Sequence, residues 1–214
     1  PEVLDEILGH VKEAAFRIIG EHGGTVAQFH GDGFLAVFGY PDSGEHDVRR
    51  ATEAALALHA EVRALDLAHL TPAGFDLRMH SGLDAGLVLV REGDAVLGAL
   101  NLVGDAPNTA AGLATSASAD EILASRSALF GFRPFFETES VPPVSLKGIK
   151  EPVEAYLVRG RTEITRGWEA SKRRGLAPFI GRDDILHSLE TALEGARSGR
   201  SVSYTHLRAH ETSE

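Results

Sequence analysis

The fold of this chain depends on one stretch, which reads Gly24-Thr25-Val26-Ala27-Gln28-Phe29-His30-Gly31-Asp32-Gly33-Phe34-Leu35-Ala36-Val37-Phe38-Gly39. Two short runs rich in Val, Phe and Leu flank Gly31-Asp32-Gly33, and this pattern predicts a β-hairpin with a carboxylate at its tip. A tight turn favours glycine but does not require the aspartate. Two interpretations of Asp32 stay open, because Asp-Gly is a common hairpin turn and a carboxylate on rigid strands is also a suitable ligand for Mg²⁺ or Mn²⁺.

The composition is that of an ordinary globular protein. The 214 residues are 43% hydrophobic and 24% charged, which leaves room for one domain plus part of another. No apolar run is long enough to span a bilayer and no signal peptide opens the chain, so we expect a cytoplasmic protein. The absence of cysteine excludes disulfides and thiolate catalysis. The net charge of −10 argues against a nucleic-acid-binding surface.

Helical and strand patterns alternate along the first three quarters of the chain. Together they predict an α/β (α+β) sandwich, with helices packed on a central, mainly antiparallel sheet. The further predicted elements are helices over 2–22 and 47–65, a strand pair over 75–83 and 87–90 that turns near Asp84-Ala85-Gly86, a short strand over 121–125, and a closing strand pair over 135–139 and 153–158.

A second unusual stretch runs from Asn101 to Leu113. A loop with Gly104-Asp105 leads into a short Ala-rich helix, and Pro107 lies where the start of a helix tolerates proline. The free backbone amides at such a helix start can face an anion. The alternative is an ordinary capped helix with no ligand.

The remaining sequence divides into three parts with different patterns. Residues 160–178 are polar and Arg-rich, and we interpret them as a linker. Residues 179–200 predict an amphipathic helix that begins a second domain. Residues 201–214 continue neither pattern and read as a translated sequencing-adapter artefact. Residues 1–159 are therefore predicted to form the main domain.

Several stretches of the main domain match one family in order and spacing. The chain resembles the class III nucleotidyl cyclases, the adenylate/guanylate cyclase catalytic domains, over residues 1 to about 160. The resemblance implies a ferredoxin-like cyclase sandwich whose first strand would lie before Pro1. The matching stretches are His22-Gly23-Gly24, Gly31 to Gly39, Gly82-Leu83-Asp84-Ala85-Gly86, Val103 to Ala111, Glu121-Ile122-Leu123 and Leu146-Lys147-Gly148.

A second, shorter resemblance concerns the predicted helix after the linker. Phe179-Ile180-Gly181-Arg182 resembles the first helix of the AAA/STAND-type signalling ATPases that are fused behind such cyclases in bacteria. No GxxxxGK[ST] loop follows it, so the phosphate-binding part of that ATPase is not in this sequence. The resemblance therefore implies a partner domain, a fused ATPase, of which only the beginning is present.

The family resemblance implies a reaction and an assembly. Such domains join the 3′-hydroxyl of a nucleoside triphosphate to its own α-phosphate and release pyrophosphate, with two Mg²⁺ or Mn²⁺ ions at the interface of a head-to-tail homodimer. Asp32 matches the second metal-binding aspartate. The first is expected on a strand N-terminal to Pro1, so the resemblance implies that this chain alone carries half of the metal site and has negligible activity.

The base-reading positions depart from the pattern of adenylate cyclases. Gln28 lies where those enzymes have a lysine that reads the purine, and Asn101 lies where they have its aspartate partner. Lysine only donates and aspartate only accepts, whereas amides do both and can flip. The pair therefore leaves ATP and GTP both open as substrates, with ATP favoured.

The catalytic positions of the family are only partly kept. Asn108 matches the asparagine that orients the ribose, and Lys147 matches the lysine that contacts the terminal phosphates. Gly112 stands where the arginine that stabilises the transition state is expected, and losing one such donor costs about 10² to 10³ in rate. Lys147 can instead be a solvated turn residue.

Three functions follow from these residues. The first is an active cyclase, motivated by Asp32, Asn108 and Lys147. The second is an inactive cyclase-homology domain that dimerises or senses nucleotide and regulates the downstream ATPase, motivated by Gly112 and by the Gln28/Asn101 pair. The third is a ferredoxin-like binding module unrelated to cyclases.

Overall fold

The computed structural model describes residues 2–65, 77–92 and 100–164, together with positions 187, 191, 193 and 194. The chain divides into two compact units, Pro1–Ala170 and Ser171–Glu214. In the second unit the four described positions are helical, and the Thr191 hydroxyl donates a 2.8 Å hydrogen bond to the carbonyl of His187. Most of the predicted linker, most of the predicted ATPase helix and the whole 201–214 tail lie outside the described residues.

The first unit alternates helices and strands, as the sequence patterns predict. Among the described residues, no helix is both long enough and apolar enough to cross a membrane. The elements are α1 (Glu2–Glu21), β1 (Gly24–His30), β2 (Gly33–Phe38), α2 (Asp47–Ala64), β3 (Ser81–Leu83), β4 (Leu89–Glu92), β5 (Leu100–Val103), α3 (Asp105–Ser116), β6 (Ile122–Ser125), α4 (Arg126–Leu129), a 3₁₀ turn (Arg133–Phe135), β7 (Phe136–Ser140) and β8 (Ala155–Arg161).

Within the described residues the strands form one sheet of four strands and two hairpins. The four-stranded sheet has the order β3-β6-β8-β7, in which β3 and β6 are parallel and the other neighbours are antiparallel. β1 and β2 form one antiparallel hairpin, and β4 and β5 form the other. The predicted mixed fold with a mainly antiparallel sheet is confirmed.

The predicted strand pair over 75–83 and 87–90 is wrong in its pairing. Only Ser81–Leu83 and Leu89–Glu92 are strands, and residues 75 and 76 lie outside the described part. β3 pairs with β6 in parallel, and β4 pairs with β5. Turn residues between two apolar runs predict a local hairpin, but here each strand finds its partner further along the chain.

Apolar side chains on α1 and α2 pack against the β1–β2 hairpin. The buried residues of this cluster include Ala15 and Ile18 on α1 and Ala54 and Leu58 on α2. α1 ends where the sequence predicted, because Gly23 adopts a φ of +73° that glycine tolerates best. The hairpin is therefore held on a rigid helical support, which fixes the position of the residues near its tip.

A second part of the core lies between α3 and the four-stranded sheet. Leu113 of α3 packs with Leu123 of β6, Leu157 of β8 and Leu146 of the loop between β7 and β8. The predicted short strand near 121–125 and the predicted closing pair are both confirmed. β8 continues to Arg161, and Ile164 is buried in the neighbouring cluster, so ordered structure extends past the predicted end at 159.

The contact between β3 and α3 requires a glycine. A Cβ built on Gly82 would overlap the carbonyl oxygen of Ala110 and the amide nitrogen of Ala114, and it would lie 2.9 Å from the Cβ of Leu113. Because two of these atoms belong to the backbone of α3, side-chain motion cannot relieve the overlap. Gly82 therefore sets how closely α3 lies against the sheet.

Candidate functional site

Asp32 lies at the exposed tip of the first hairpin. His30 pairs with Gly33, which leaves Gly31-Asp32 as a two-residue turn, and Gly31 adopts a φ of +62°. In the part of the chain that the structure describes, the Asp32 carboxylate makes no hydrogen bond or ion pair. A free carboxylate on a short, rigid turn is accessible to a cation.

The residues around Asp32 do not complete a metal site by themselves. Mg²⁺ and Mn²⁺ prefer oxygen ligands, and Asp32 supplies one. Among the described residues there is no group of three or more His, Cys, Asp or Glu side chains that could hold a metal ion. The described residues therefore supply one ligand of such a metal site, and the other ligands would come from elsewhere.

Gln28 joins the two hairpins through its side-chain amide. Its Nε2 donates a 2.9 Å hydrogen bond to the carbonyl of Leu100, the first residue of β5. Its Oε1 lies 2.8 Å from Nε2 of His30. The β1–β2 ladder shifts register between Val26 and Gln28, and such a bulge redirects the side chains that follow it. Gln28 is thereby tied to the neighbour of Asn101.

Asn101 lies on β5, where it pairs with Arg91 of β4. Its side chain is exposed, whereas Gln28 is half-buried. The two residues that the resemblance assigns to base reading are thus brought to the same pair of hairpins. The hydrogen bond from Gln28 to Leu100, the neighbour of Asn101, connects the two places although the residues are 73 positions apart in sequence.

Asn108 is the fourth residue of α3 and is exposed. Its Nδ2 donates a 3.2 Å hydrogen bond to the carbonyl of Gly104, just before the helix begins. Ala106 and Thr109 of the same helix are buried. A Cβ on Gly104 would lie 2.7 Å from the carbonyl oxygen of Leu87, so this start of α3 is packed tightly against the loop after β3. Asn108 therefore projects from a fixed helix start.

Gly112 lies one helical turn after Asn108 and faces the loop that carries Lys147. A Cβ on Gly112 would be 3.1 Å from both methyl groups of Leu146. Leu146 is buried, whereas the next residue, Lys147, is exposed. Asn108, Gly112 and Lys147 are consequently grouped around α3, and the space beyond Gly112 is closed on one side by Leu146.

The candidate residues therefore form two groups within the chain. One group lies on the hairpins and contains Gln28, Asn101 and, at the β1–β2 tip, Asp32. The other lies around α3 and contains Asn108 and Lys147, with Gly112 at the position of the expected arginine. Among the residues that the structure describes, no hydrogen bond or ion pair joins a side chain of the first group to a side chain of the second.

One polar cluster, formed by Asp84, Ser125 and Ser127, is not indicated by the sequence patterns. Oδ1 of Asp84 accepts hydrogen bonds from the hydroxyls of Ser125 and Ser127, the latter at 2.7 Å. Ser125 Oγ in turn accepts a 3.0 Å hydrogen bond from the amide of Ala128, as the N-cap of α4. The cluster ties the loop after β3 to the end of β6. In the sequence Asp84 belongs to a predicted turn and to the family-matching stretch Gly82-Leu83-Asp84-Ala85-Gly86, and neither indicates these hydrogen bonds.

His59 is a second residue that the patterns did not single out. It is 4% exposed on α2, its Nε2 lies 2.8 Å from the Ser81 hydroxyl, and its Nδ1 has no described partner. Burial lowers the pKa of His59 to about 4, helped by the charges of Arg63 and His80 and opposed by that of Asp120. His59 is therefore a neutral core residue at pH 7.

Comparisons with known proteins agree on one family. A model of the adenylate and guanylate cyclase catalytic domain matches residues 3–160. The adenylyl cyclase CyaB from P. aeruginosa is similar with a TM-score of 0.69 at 21% identity, covering 78% of this chain and 87% of that one. No curated protein matches the chain significantly.

Two guanylate cyclases are similar as well. The domain of RhGC from Catenaria anguillulae, solved in complex with GTP, has a TM-score of 0.68 at 23% identity and covers 76% of this chain and 86% of that one. The guanylyl cyclase Cya2 has a TM-score of 0.63 at 29% identity and covers 76% and 83%. The fold is thus shared with cyclases that are named for different nucleotides.

Proposed function

Because the chain belongs to the family of adenylate and guanylate cyclase catalytic domains, we propose that its domain converts a nucleoside triphosphate to a 3′,5′-cyclic nucleotide and pyrophosphate. ATP is the favoured substrate and GTP the other candidate. The active form is a head-to-tail homodimer in the cytoplasm. In the complete protein it is fused to a C-terminal ATPase domain and takes part in signalling.

The observation that carries the proposal is the state of Asp32. An exposed carboxylate with no protein partner among the described residues, at the tip of a rigid hairpin, is available for a cation that accompanies the triphosphate. Mg²⁺ or Mn²⁺ would neutralise phosphate charge when bound there. Since the described residues do not complete the site, the remaining ligands come from outside them.

The reaction itself forms one bond and breaks one. The 3′-oxygen of the ribose bonds to the α-phosphorus while the bond from that phosphorus to the bridging oxygen of pyrophosphate breaks. The proton of the 3′-hydroxyl passes to solvent water, and pyrophosphate leaves with the bonding electron pair. Because the attacking and leaving groups belong to one molecule, the protein contributes chiefly by fixing their geometry and stabilising charge.

The residues around α3 suit the binding part of this reaction. The Asn108 amide is exposed, and among the described residues its one hydrogen bond is the 3.2 Å bond to Gly104, which it can exchange for a ribose oxygen. The Lys147 ammonium is exposed and supplies a positive charge for the terminal phosphates. Among the described residues no side-chain hydrogen bond or ion pair joins the two groups, which suits a site completed by the second protomer of a dimer.

A second candidate function is favoured by Gly112. Without an arginine at this position, the domain would bind a triphosphate and dimerise but would convert the triphosphate slowly or not at all. The domain would then act as a regulator of the fused ATPase. The two candidates differ in product formation and not in nucleotide binding.

The deciding experiment is a cyclase assay of the complete natural protein with Mn²⁺ and either ATP or GTP. We expect slow formation of a cyclic product by the wild-type protein and a rise of about 10²-fold in Gly112→Arg, since one charge-stabilising donor is restored. Gly112→Ala is the matched control, because it brings the same Cβ within 3.1 Å of Leu146 without the guanidinium.

The outcomes separate the two candidates. If neither triphosphate yields a cyclic product and Gly112→Arg forms none either, the catalytic proposal is wrong. Nucleotide binding that persists in that case supports the regulatory domain. Gly112→Arg and Gly112→Ala can also unfold at the same lowered temperature, which would show that the contact with Leu146 destabilises both variants. Gly112→Arg combined with Leu146→Ala is then assayed for the same rise of about 10²-fold in product formation.

A further inference from the structure

The loop between β3 and β4, residues 84–88, lies against the start of α3. A Cβ on Gly86 would be 3.3 Å from the Cβ of Ala106, the second residue of α3. Just before the helix, a Cβ on Gly104 would be 2.7 Å from the carbonyl oxygen of Leu87. The position of this helix start therefore depends on where the loop lies.

Asp84 anchors the beginning of this loop. β3 and β6 pair in parallel as far as Leu83 and Ala124, so Asp84 comes beside Ser125. Oδ1 of Asp84 accepts hydrogen bonds from the hydroxyls of Ser125 and Ser127. Ser125 is 1% exposed and is the N-cap of α4, so it is a fixed point of attachment. Asp84 thus holds the loop on the end of β6.

We propose that Asp84 is a positioning residue for the nucleotide, because its anchor on β6 holds the loop that supports Asn108. The inference rests on the proposed function, in which Asn108 binds the ribose. The Asn108 amide donates a 3.2 Å hydrogen bond to the carbonyl of Gly104, and the loop packs against the same Gly104. Without the anchor the loop and the helix start gain freedom, and the amide is less often in the place where it meets the ribose.

The anchor depends on the geometry of one carboxylate oxygen and not on its negative charge. Both hydroxyls donate to Oδ1, and the amide oxygen of an asparagine has two lone pairs for the same two bonds. Asp84→Asn should therefore keep the anchor, whereas Asp84→Leu, which has a similar branched shape, removes it. The hydroxyls of Ser125 and Ser127 lie 2.8 Å apart and can bond to each other in that variant. We therefore expect Asp84→Leu to fold.

The test measures binding of α,β-methylene-ATP and α,β-methylene-GTP, in which a CH₂ group replaces the oxygen that pyrophosphate leaves with, so that neither analogue cyclises. Calorimetry with Mn²⁺ gives dissociation constants for the complete natural protein, Asp84→Asn, Asp84→Leu, Asn108→Ala and the double variant Asp84→Leu/Asn108→Ala. We expect Asp84→Leu to weaken binding of the tighter analogue about 3- to 10-fold, which is the effect of one lost hydrogen bond.

The double variant separates positioning from a general effect on the fold. When Asn108 is already replaced by alanine, Asp84→Leu should change the affinity by less than about 2-fold, because the group that Asp84 positions is gone. A merely structural effect would be the same with and without Asn108. Asp84→Asn should bind both analogues with the affinity of the wild-type protein.

Ser127→Ala is a milder second variant, since it removes one of the two hydrogen bonds and Ser127 is exposed. It should weaken binding less than Asp84→Leu does. Its matched control is Ser140→Ala, because Ser140 is also exposed but lies on β7, at the opposite edge of the four-stranded sheet from β3. Thermal unfolding of each variant shows whether it is folded, and Ser127→Ala takes the place of Asp84→Leu in the double variant if the latter does not fold.

Three results would overturn the inference while the proposed function stands. They are wild-type affinity in Asp84→Leu, equal losses from Asp84→Leu with and without Asn108, and equal losses in Asp84→Asn and Asp84→Leu, which would assign the effect to the charge. Failure of the wild-type protein to bind either analogue would overturn the proposed function and the inference together, and this result differs from the other three.

Discussion

The carboxylate of Asp32 can be removed without loss of packing, because it projects from a two-residue turn and has no partner among the described residues. We expect Asp32→Asn to lower Mn²⁺-dependent product formation by about 10²-fold or more, since a metal clamp contributes several kcal/mol to charge stabilisation. Its free energy of unfolding should stay within about 0.5 kcal/mol of the wild-type value. Initial rates at several Mn²⁺ concentrations and urea titrations measure both quantities.

Asp42→Asn is the control for this prediction, because Asp42 is an exposed acid in the loop after the hairpin. It removes the same charge at a place that is not proposed to bind a metal. Equal rates for the wild-type protein and Asp32→Asn would contradict the role of Asp32. Equal losses in both variants would show that net charge alone is responsible.

Individual site residues differed in how well the sequence could reveal them. Asp32, Asn108 and Lys147 lie inside short motifs, so their types and spacing suggest roles, although those roles remain predictions. The orientation of Gln28 could not be predicted, because its partner Leu100 is 72 residues away. A sequence pattern records which groups can bond, and only the fold determines which of them meet.

At the scale of elements, the contact of β3 with α3 depends on the missing side chain of Gly82. We expect Gly82→Ala to lower the free energy of unfolding by about 3 kcal/mol or more, because the new methyl group overlaps backbone atoms of α3. α3 would have to move away from the sheet, and Asn108 would move with it. The urea midpoint measures the loss, and nucleotide binding should weaken in the same variant.

Gly9→Ala provides the matched control for Gly82→Ala. Gly9 lies within α1, and a Cβ placed there meets no atom within 4 Å. The same substitution should therefore stabilise the protein by about 0.5–1 kcal/mol, since alanine favours helices. If Gly82→Ala unfolds at the wild-type urea concentration, the close packing of α3 on β3 is not required.

Strand β3 shows which elements can be predicted from the sequence and which cannot. Helices α1 and α2 and the first hairpin depend on local spacing and turn residues, and they were predicted closely. β3 is three residues long and pairs in parallel with β6, about 40 residues later. Such a pairing has no local turn signal, whereas the turn residues between β3 and β4 predict that these two strands pair, which is wrong.

At the scale of the whole first unit, ion pairs join the sheet to the helical layer. Glu53 of α2 is mostly buried and pairs with Arg161 of β8 and, at 3.0 Å, with Arg49. Burial acts to raise the pKa of Glu53, but its hydrogen bonds to the two arginines outweigh this and lower the pKa. A carboxylate with a lowered pKa stabilises the fold above its ordinary pKa, 4.5, and loses that contribution as the pH falls further.

Protonation of the buried His59 affects stability in a higher pH range than protonation of the carboxylates, so the two effects can be measured separately. Its pKa is about 4 in the folded protein against 6.5 ordinarily, so the unfolded chain binds the proton first on acidification. We therefore expect the free energy of unfolding to be constant above pH 6.5 and to fall by up to about 3 kcal/mol between pH 6.5 and 4. Urea titrations at half-unit pH intervals should show this decline, and His59→Gln, which cannot titrate, should remove it while the later loss below pH 4.5 remains. An equal decline in His59→Gln would mean that other groups cause it, because the substitution leaves every carboxylate in place.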